Sequence, residues 1–364
     1  MSKLRLATVF SGVGAIEEAF VKQNIDYEIV FAADNGEREL KTFAEEIINK
    51  TSEMSLVEKN KYIEDLYIKE SKKENFMQKQ YLANFKVPDG HYYQDVRFLD
   101  GSIYKDAEID LLVGGSPCQS FSIIGKRGGL EDTRGTLFYE YARIVKEAQP
   151  KVFIYENVLG MLNHDNGRTW KTINNVFQSL NYNIKLFKLN SRNYGIPQDR
   201  KRIFVVGTKV ENNMEIPTEI ELQTTIADYL EDVIPTKYYL GKKGFEFVTN
   251  PFYYNRAKVN GDVMMCQKAN QQFNWNGDFR FESLDPQRHT PEVLQRAYVG
   301  KYQGEEGVAR QLTPRECFRL MGFNDDYKIV VHDTIAWRQA GNAIVVNVLE
   351  AIVNEMRNKG ILEC

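Results

Sequence analysis

The sequence predicts an α/β protein in which a doubly wound, mostly parallel sheet is joined to a second, smaller domain. Through residues 1–207, short apolar runs alternate with amphipathic stretches, which is the pattern of βαβ units. From about residue 208 to 309 this alternation stops, and aromatic, asparagine and basic residues mingle in short segments. The length of 364 residues allows one large domain and a smaller one.

Five apolar runs are the predicted strands of the sheet, and three amphipathic stretches between them are its predicted helices. The strands are residues 4–10, 27–34, 109–115, 151–157 and 201–207, and the helices are residues 15–23, 136–148 and 169–180. Because the helices lie between strands, a Rossmann-like open sheet is expected.

A stretch rich in lysine and glutamate, at about residues 37–85, interrupts this alternation. It contains no glycine and is composed of good helix formers, so we expect a helical insertion there. Charge runs usually mark exposed helix faces, and a solvated helical pair is therefore favoured over a binding function.

Two more helices are predicted towards the end of the chain. Thr313, Pro314 and Glu316 fit the N-cap, the first-turn proline and the acidic residue of a capping box. Residues 343–358 have the apolar spacing of an amphipathic helix. We assign residues 310–364, together with 1–207, to the large domain.

Composition and charge exclude several classes of protein. Apolar residues make up 43% of the chain and charged residues 27%, which argues against a disordered or fibrous protein. The sequence has neither a long apolar run nor a signal-peptide pattern, so a soluble, cytoplasmic protein with no membrane partner is expected. The net charge is −3, but residues 236–320 hold 13 Lys and Arg against 9 Asp and Glu, and this surplus of 4 indicates a local anion-binding surface.

Cysteine and histidine spacing excludes the common metal and disulfide frameworks. The four cysteines, Cys118, Cys266, Cys317 and Cys364, form no C-x-x-C pair, and none of the four histidines stands at metal-ligand spacing. No metal site is predicted.

A glycine-containing loop, Ser11–Ala15, connects the first predicted strand to the first helix. Glycines at such a position let backbone N–H groups approach a ligand, although a tight structural turn has the same pattern. Asp34 ends the next strand, where an acidic side chain can bind ribose hydroxyls. Asp95 can read an adenine amino group, and it can equally cap a helix. A nucleoside cofactor is predicted.

A thiol and a carboxylate follow two neighbouring predicted strands. Cys118 comes after Gly114-Gly115-Ser116-Pro117 and opens a glycine-rich segment with Lys126, Arg127 and Arg134, whereas Glu156 ends the strand after it. Because the carboxyl ends of parallel strands meet at one edge of a sheet, the two groups are expected to converge. A buried cysteine and a helix-capping glutamate are the alternatives.

Two arginines precede and begin the last predicted strand of the sheet. In an extended segment Arg200 and Arg202 project to one face, where two guanidinium groups can reach one anion or one carbonyl-rich ring. Solvation at the surface is the alternative for an isolated basic run.

Five short motifs occur in a fixed order along nearly the whole chain. They are Phe10-Ser-Gly-Val-Gly, Pro117-Cys118-Gln119, Glu156-Asn157-Val158, Gln198-x-Arg200-x-Arg202 and Gln339-Ala-Gly-Asn342. In this order the motifs resemble those of the DNA cytosine-5 methyltransferases, with residues 208–309 in the place of the family's target-recognition domain.

The resemblance implies a set of site residues and a methyl donor, S-adenosylmethionine, with S-adenosylhomocysteine as product. It places the catalytic nucleophile at Cys118, the catalytic glutamate at Glu156 and the paired arginines at Arg200 and Arg202. The cofactor pocket would be lined by Phe10, Gly12, Gly14, Asp34, Asp95, Pro117, Leu137 and Asn342. The family often has glutamate where this chain has Asp34, and compact members lack so long an insertion.

The chemistry implied is methyl transfer to carbon 5 of a flipped-out cytosine in a short, specific sequence of double-stranded DNA, through a covalent Cys118 adduct at carbon 6. A monomer is expected, with a restriction endonuclease of the same site as a possible partner. Two alternatives stay open, an RNA (tRNA) cytosine-5 methyltransferase and a non-catalytic DNA-binding regulator.

Overall fold

The computed structural model describes residues 3–117 and 137–363. These residues form two compact units. The first unit takes its residues from Met1–Leu189, Lys201–Thr218 and Val348–Cys364, and the second takes them from Asn190–Arg200 and Glu219–Asn347.

Eleven strands in the described residues build two sheets. They are β1 Leu4–Val9, β2 Tyr27–Ala33, β3 Tyr92–Tyr93, β4 Leu111–Gly114, β5 Val152–Val158, β6 Asn183–Asn190, β7 Lys201–Thr208, β8 Ala257–Val259, β9 Gly277–Ser283, β10 Gly300–Tyr302 and β11 Glu305–Gln311. The first seven form one sheet in the order β3-β2-β1-β4-β5-β7-β6, and the other four form a sheet in the order β10-β11-β9-β8.

The described residues also form eleven α-helices. The described α-helices are α1 Ala15–Lys22, α2 Ala44–Thr51, α3 Leu56–Ser71, α4 Phe76–Leu82, α5 Leu137–Ala148, α6 Arg168–Ser179, α7 Lys242–Val248, α8 Pro291–Arg296, α9 Pro314–Arg319, α10 Asp333–Asn342 and α11 Val346–Asn358.

The seven-stranded sheet is parallel from β3 to β5, and β7 pairs with β5 in the antiparallel direction. From β1 the chain first adds β2 and β3 on one side and then returns to add β4 and β5 on the other side. The topological switch point of the sheet therefore lies between β1 and β4. Open α/β sheets bind ligands at such a switch point, outside the carboxyl ends of the strands. The carboxyl ends of β1, β2, β4 and β5 are therefore the edge on which a site is expected.

Aromatic side chains fill the core of the first unit beside β5. Phe153 and Tyr155 of β5 pack against Phe138 and Tyr141 of α5 and against Phe177 of α6, with ring centroids 4.9–6.2 Å apart. Strand residues in this core are buried in unbroken runs, as expected for a parallel sheet covered on both faces.

The second unit has its own apolar core and a capped helix. Phe245 of α7 packs against Phe279 and Phe281 of β9 in one cluster of buried side chains. At the start of α9 the Thr313 side chain accepts a hydrogen bond from the Glu316 N–H, and Glu316 in turn accepts one from the Thr313 N–H. The predicted capping box is confirmed.

The elements agree with the sequence-based prediction in type and place. All five predicted strands and the helices at residues 15–23, 136–148 and 169–180 are present, with ends that differ by at most two residues. Residues 37–85 contain α2, α3 and α4, one helix more than the expected pair. Strands β3 and β6 were not predicted, because β3 has two residues and β6 has partly exposed side chains on both faces.

The two compact units divide the chain at other residues than the predicted domains do. Residues 310–347 fall in the second unit, although the prediction groups them with residues 1–207. The predicted domains were defined by function, with target recognition assigned to residues 208–309. That role stays a prediction.

Among the described helices, none is both long and apolar enough to cross a membrane.

Gly207 in β7 lies opposite Phe153 in β5, and a Cβ atom there would stand 2.2 Å from the phenyl ring. We expect Gly207→Ala to lower the free energy of unfolding by about 1–3 kcal/mol, because it overpacks the aromatic core. Gly160→Ala is the control, since no heavy atom lies within 4 Å of its Cβ position. Urea denaturation of both variants measures the difference, and an equal effect of the two substitutions would contradict the packing argument.

Candidate active site

The loop after β1 requires an unusual backbone. Phe10, Gly12 and Gly14 all have positive φ angles, 52°, 57° and 83°. A Cβ atom on Gly14 would lie 2.1 Å from the phenyl ring of Phe85, so this position needs glycine for space as well as for conformation. Ser11 ties the loop to the end of β2, since its hydroxyl donates to the Ala33 carbonyl and accepts from the Ala33 N–H.

Asp34 joins the same loop to the end of β2 through its carboxylate. One oxygen accepts from the Gly12 N–H at 3.0 Å, and the other accepts from the Gly36 N–H at 2.8 Å. Burial raises the pKa of Asp34 above its ordinary value, although these two hydrogen bonds lower it in part. The predicted cofactor loop and the predicted ribose-binding carboxylate are thus adjacent, and the ribose contact itself stays a prediction.

Asp95 is buried and held by three kinds of donor. Its carboxylate accepts from the Arg97 N–H and forms an ion pair with the Arg97 guanidinium. The hydroxyl of Tyr67 donates to the second oxygen at 2.5 Å. Asp95 is the N-cap of the short 3-10 helix Val96–Phe98, which is the alternative role that its sequence position allowed. Its predicted contact with an adenine amino group stays a prediction.

Glu156 forms an ion pair at the carboxyl end of β5. The Arg202 Nε atom lies 3.1 Å from a Glu156 carboxylate oxygen, and less than a fifth of either side chain is exposed. β5 and β7 run antiparallel with Val158 opposite Arg202, so the two side chains are diagonal neighbours across the strands. Of the predicted catalytic residues, these two are in direct contact.

The segment before Cys118 is fixed against β5. A Cβ atom on Gly115 would lie 2.6 Å from the Glu156 carbonyl oxygen and 3.0 Å from its carboxylate, so only glycine fits beside Glu156. Asn157 donates its side-chain amide to the Ser116 carbonyl at 3.0 Å, and the Ser116 and Tyr155 hydroxyls are 2.7 Å apart. The segment after β4 thus lies against the end of β5 at Gly115 and Ser116, and the predicted convergence of Cys118 with Glu156 stays a prediction.

Several predicted residues lie outside these contacts. Cys118 and the basic, glycine-rich segment after it lie outside the described residues. Pro117 is exposed, Leu137 begins α5, and Asn342 is the exposed last residue of α10.

Arg200 belongs to the second unit and is almost fully buried. Its guanidinium donates to the carbonyl oxygens of Gln267, Gly341 and Ala343, at 2.6, 3.1 and 2.9 Å. The Gln198 side chain also contacts this segment, because it accepts from the Gln267 N–H and donates to the Leu320 carbonyl. In the second unit these two motif residues therefore hold main-chain segments together.

Sequence reasoning missed the polar residues behind the loop and in the insertion. Thr8, Ser11 and Tyr81 hydroxyls form a chain of contacts that ends on the buried carboxylate of Glu17 in α1. Tyr67, Asn75 and Tyr81 come from the charged segment that was expected to be solvated, where nothing in the sequence distinguishes an inward tyrosine from an outward one.

No group of three potential metal ligands occurs in residues 3–117 and 137–363. The loop after β1 and the Asp34 carboxylate adjoin at the carboxyl ends of β1 and β2, which is where open α/β sheets bind nucleoside ligands.

The family model for C-5 cytosine-specific DNA methylases matches residues 66–358. The chain belongs to this family. It is 36% identical to the Type II methyltransferase M.HpaII of Haemophilus parainfluenzae over 292 residues, 78% of this chain and 80% of the relative. To the Type II methyltransferase M.HhaI of Haemophilus parahaemolyticus it is 33% identical over 285 residues, which cover 77% and 84% of the two chains.

Solved structures show the same fold at lower identity. The Entamoeba histolytica methyltransferase EhMeth aligns with a TM-score of 0.67 and 15% identity, over 99% of both chains. The S. pombe Dnmt2 methyltransferase aligns with a TM-score of 0.65 and 17% identity, over 98% of this chain and 99% of that one.

These comparisons confirm the predicted family, the fold class and the reaction. The protein is a DNA cytosine-5 methyltransferase that uses S-adenosylmethionine as methyl donor.

Glu17 gives a test of the electrostatics beneath the loop. Burial raises its pKa to about 7, and one of its oxygens has no hydrogen-bond partner among the described residues. Between about pH 4.5 and 7 the unfolded chain has released this proton while the folded protein keeps it, so the free energy of unfolding falls as pH rises. Above pH 7 the dependence ends. We expect Glu17→Gln to remove this component, about 3 kcal/mol between pH 4.5 and 8.

Urea denaturation at a series of pH values measures the effect as the difference between wild type and Glu17→Gln. Glu28→Gln, at a half-exposed position of β2, controls for the loss of one acid. A difference between wild type and Glu17→Gln that does not change with pH would contradict the raised pKa.

Proposed function

We propose that this methyltransferase acts on a flipped-out cytosine in a short, specific sequence of duplex DNA, with Cys118 as the nucleophile. The observation that carries the proposal is the ion pair between Glu156 and Arg202 at the carboxyl end of β5. Glu156 lies directly beside Gly115, and Gly115 is three residues before Cys118 in the sequence. A carboxylate oriented in this way can meet the ring of a base that the thiolate attacks.

The chemistry explains why a thiol and a carboxyl group are needed together. Carbon 5 of cytosine is a weak nucleophile, and addition of the Cys118 thiolate to carbon 6 places electron density on carbon 5. A proton shared between Glu156 and N3 of the ring stabilises the charge that develops. Bound S-adenosylmethionine supplies the methyl group. Transfer of the carbon 5 proton to a water molecule then expels the Cys118 thiolate and restores the aromatic ring.

The two arginines have different roles in this proposal. Arg202 contacts Glu156 and orients its carboxylate, so it acts as a positioning residue for the acid. Arg200 donates to three carbonyl groups of the second unit and braces Gln267 and the Gly341–Ala343 segment. A guanidinium with that many donors can hold several chain segments at once.

We place sequence recognition in residues 208–309. Of the polar residues in the predicted recognition segment, Gln271 and Gln272 are buried, and the Gln272 amide donates to the Asp278 carbonyl. Asn270, Asn274 and Arg288 are exposed and are the better candidates for contacts with DNA. The two buried glutamines therefore contribute to the packing of this segment, whereas the three exposed side chains are accessible to a base.

A concave site of about 820 Å³ lies within the second unit, and Gln272 and Asn274 are among the residues that line it. Among the described residues that line it are Lys242, Lys243, Arg256 and Arg296, together with aromatic side chains, and no carboxylate. Cations next to aromatic rings suit phosphates and bases. This surface supports a DNA-binding role for the second unit.

We propose further that the enzyme is a cytoplasmic monomer and that a restriction endonuclease of the same site accompanies it. Relatives named Type II methyltransferases support the second of these points.

Cys118→Ala tests the nucleophile. We expect methyl transfer to fall below detection while the affinity for S-adenosylmethionine stays within about twofold, because the thiol attacks the base and the cofactor has its own pocket. Tritium transfer into duplex DNA measures turnover, and Cys364→Ser is the control at another cysteine. Duplex DNA with 5-fluorocytosine at the target should trap wild type as a covalent adduct. Turnover by Cys118→Ala, or active wild type that forms no adduct, would refute the assignment.

Substitutions in residues 208–309 test the recognition role. We expect alanine at Asn270, Asn274 or Arg288 to relax the methylated sequence at one position for a base contact, at a cost of about 1–3 kcal/mol. Lys243→Ala should instead weaken all sequences alike and lower the salt slope of binding by about one. Bisulfite sequencing reads out the site. If these variants all keep the wild-type site and only substitutions outside residues 208–309 change it, the recognition role is wrong.

A further inference from the structure

Helices α2 to α4 and the residues that flank them, residues 37–85, contact three of the residues predicted to line the cofactor pocket, Gly14, Asp34 and Asp95. We propose that this inserted segment positions Gly14, Asp34 and Asp95 and thereby sets the affinity of the enzyme for S-adenosylmethionine. Tyr67 and Asn75 are its positioning residues. The inference rests on the proposed cofactor site, because it concerns how that site is held in place.

Tyr67 of α3 holds Asp95 from the side of the inserted segment. The tyrosine is fully buried, and its hydroxyl donates to the Asp95 carboxylate at 2.5 Å. The Arg38 guanidinium lies over the Tyr67 ring, 4.3 Å from the centroid, and donates to the side chain of Gln94. The residue before Asp95 is therefore fixed by the same segment.

Asn75 holds Asp34 through the main chain. Its side-chain amide donates to the Asp34 carbonyl and to the Gln94 side chain, both at 2.9 Å. Its oxygen accepts from the Gln78 N–H and caps α4. A Cβ atom on Gly36 would lie 2.3 Å from that oxygen, so the turn after Asp34 is packed directly on Asn75.

Two further contacts reach the loop after β1. The phenyl ring of Phe85 occupies the space next to Gly14 that a side chain would need. The hydroxyl of Tyr81, a fully buried residue of α4, donates to the Glu17 carboxylate at the start of α1. The end of β2, Gln94 and Asp95 after β3, and the loop after β1 are thus all supported from the inserted segment.

The chemistry of these contacts points to ligand affinity. Asp34 and Asp95 are carboxylates whose usefulness to a ligand depends on their orientation. The hydrogen bond from Tyr67 restricts the rotamers of Asp95, and the hydrogen bond from Asn75 to the Asp34 carbonyl restricts the main chain that carries the Asp34 side chain. A pocket ordered before binding loses less conformational entropy when the ligand arrives. Loosening it should therefore weaken cofactor binding more than it slows the chemical step.

Tyr67→Phe and Asn75→Asp test the proposal. Tyr67→Phe keeps the ring and removes only the hydroxyl donor. Asn75→Asp keeps an acceptor that can cap α4 but removes the amide that donates to Asp34. Tyr62→Phe is the matched control, because Tyr62 lies on the same helix with its ring beside Lys50 and is only partly buried.

Calorimetry measures S-adenosylmethionine affinity, steady-state kinetics separates KM from kcat, and thermal unfolding checks that each variant is folded. We expect both variants to raise Kd and KM for the cofactor by about 5- to 10-fold with kcat within about twofold, because Tyr67→Phe loses a hydrogen bond to the Asp95 carboxylate and Asn75→Asp loses one to the Asp34 carbonyl. DNA affinity and the control should not change.

Asp34→Ala, measured alongside, separates the two hypotheses. If Asp34→Ala weakens cofactor binding but Tyr67→Phe and Asn75→Asp do not, the role of the inserted segment is refuted and the cofactor site stands. Cofactor affinity unchanged in Asp34→Ala would refute the site itself. Variants that lose kcat and thermal stability while cofactor affinity is kept would show a purely structural role and would also overturn the proposal.

Discussion

Carboxylates at the ends of strands have to be hydrogen-bonded, and the geometry of the site follows from the way in which each of them is satisfied. Asp34 is bound by backbone N–H groups of Gly12 and Gly36, which fixes the loop after β1. Asp95 is bound by Tyr67 and Arg97, and Glu156 by Arg202. A buried carboxylate without such partners is costly, so the partners are as necessary to the site as the acids themselves.

Sheet topology decides which partner each carboxylate can have. The parallel strands β1, β2, β4 and β5 bring their carboxyl ends to one edge, and the loops after them supply acids and backbone donors. Only a strand of the opposite direction can bring its amino end to the same edge. β7 is antiparallel to β5, and its second residue, Arg202, can therefore reach Glu156. An all-parallel neighbour would have placed that arginine at the far edge.

The sequence predicted the sheet and the strand-end residues because both have strong local signals. Apolar runs of strand length, a glycine loop before a helix and an acid after a strand can be recognised without knowing the fold. The separate surroundings of Arg200 and Arg202 could not be predicted in this way. Alternation along a strand puts both side chains on one face, but Arg200 precedes β7 and contacts carbonyls of residues far away in sequence. Contacts of that kind depend on tertiary packing, which no short pattern encodes.

The inserted segment, residues 37–85, is a second case in which the sequence pattern did not reveal tertiary contacts. Its charge pattern favoured a solvated helical pair, and much of its surface is exposed. Yet Ile63 and Tyr67, one helical turn apart on α3, form a buried stripe against Phe98. A narrow stripe suffices to attach a charged helix to the protein, and the tyrosine in it carries a hydroxyl to Asp95. The strand ends supply the acids, and the segment supplies a donor to the Asp95 carboxylate and another to the Asp34 carbonyl. Substitutions in the inserted helices should therefore change how firmly Asp34 and Asp95 are held without replacing either acid.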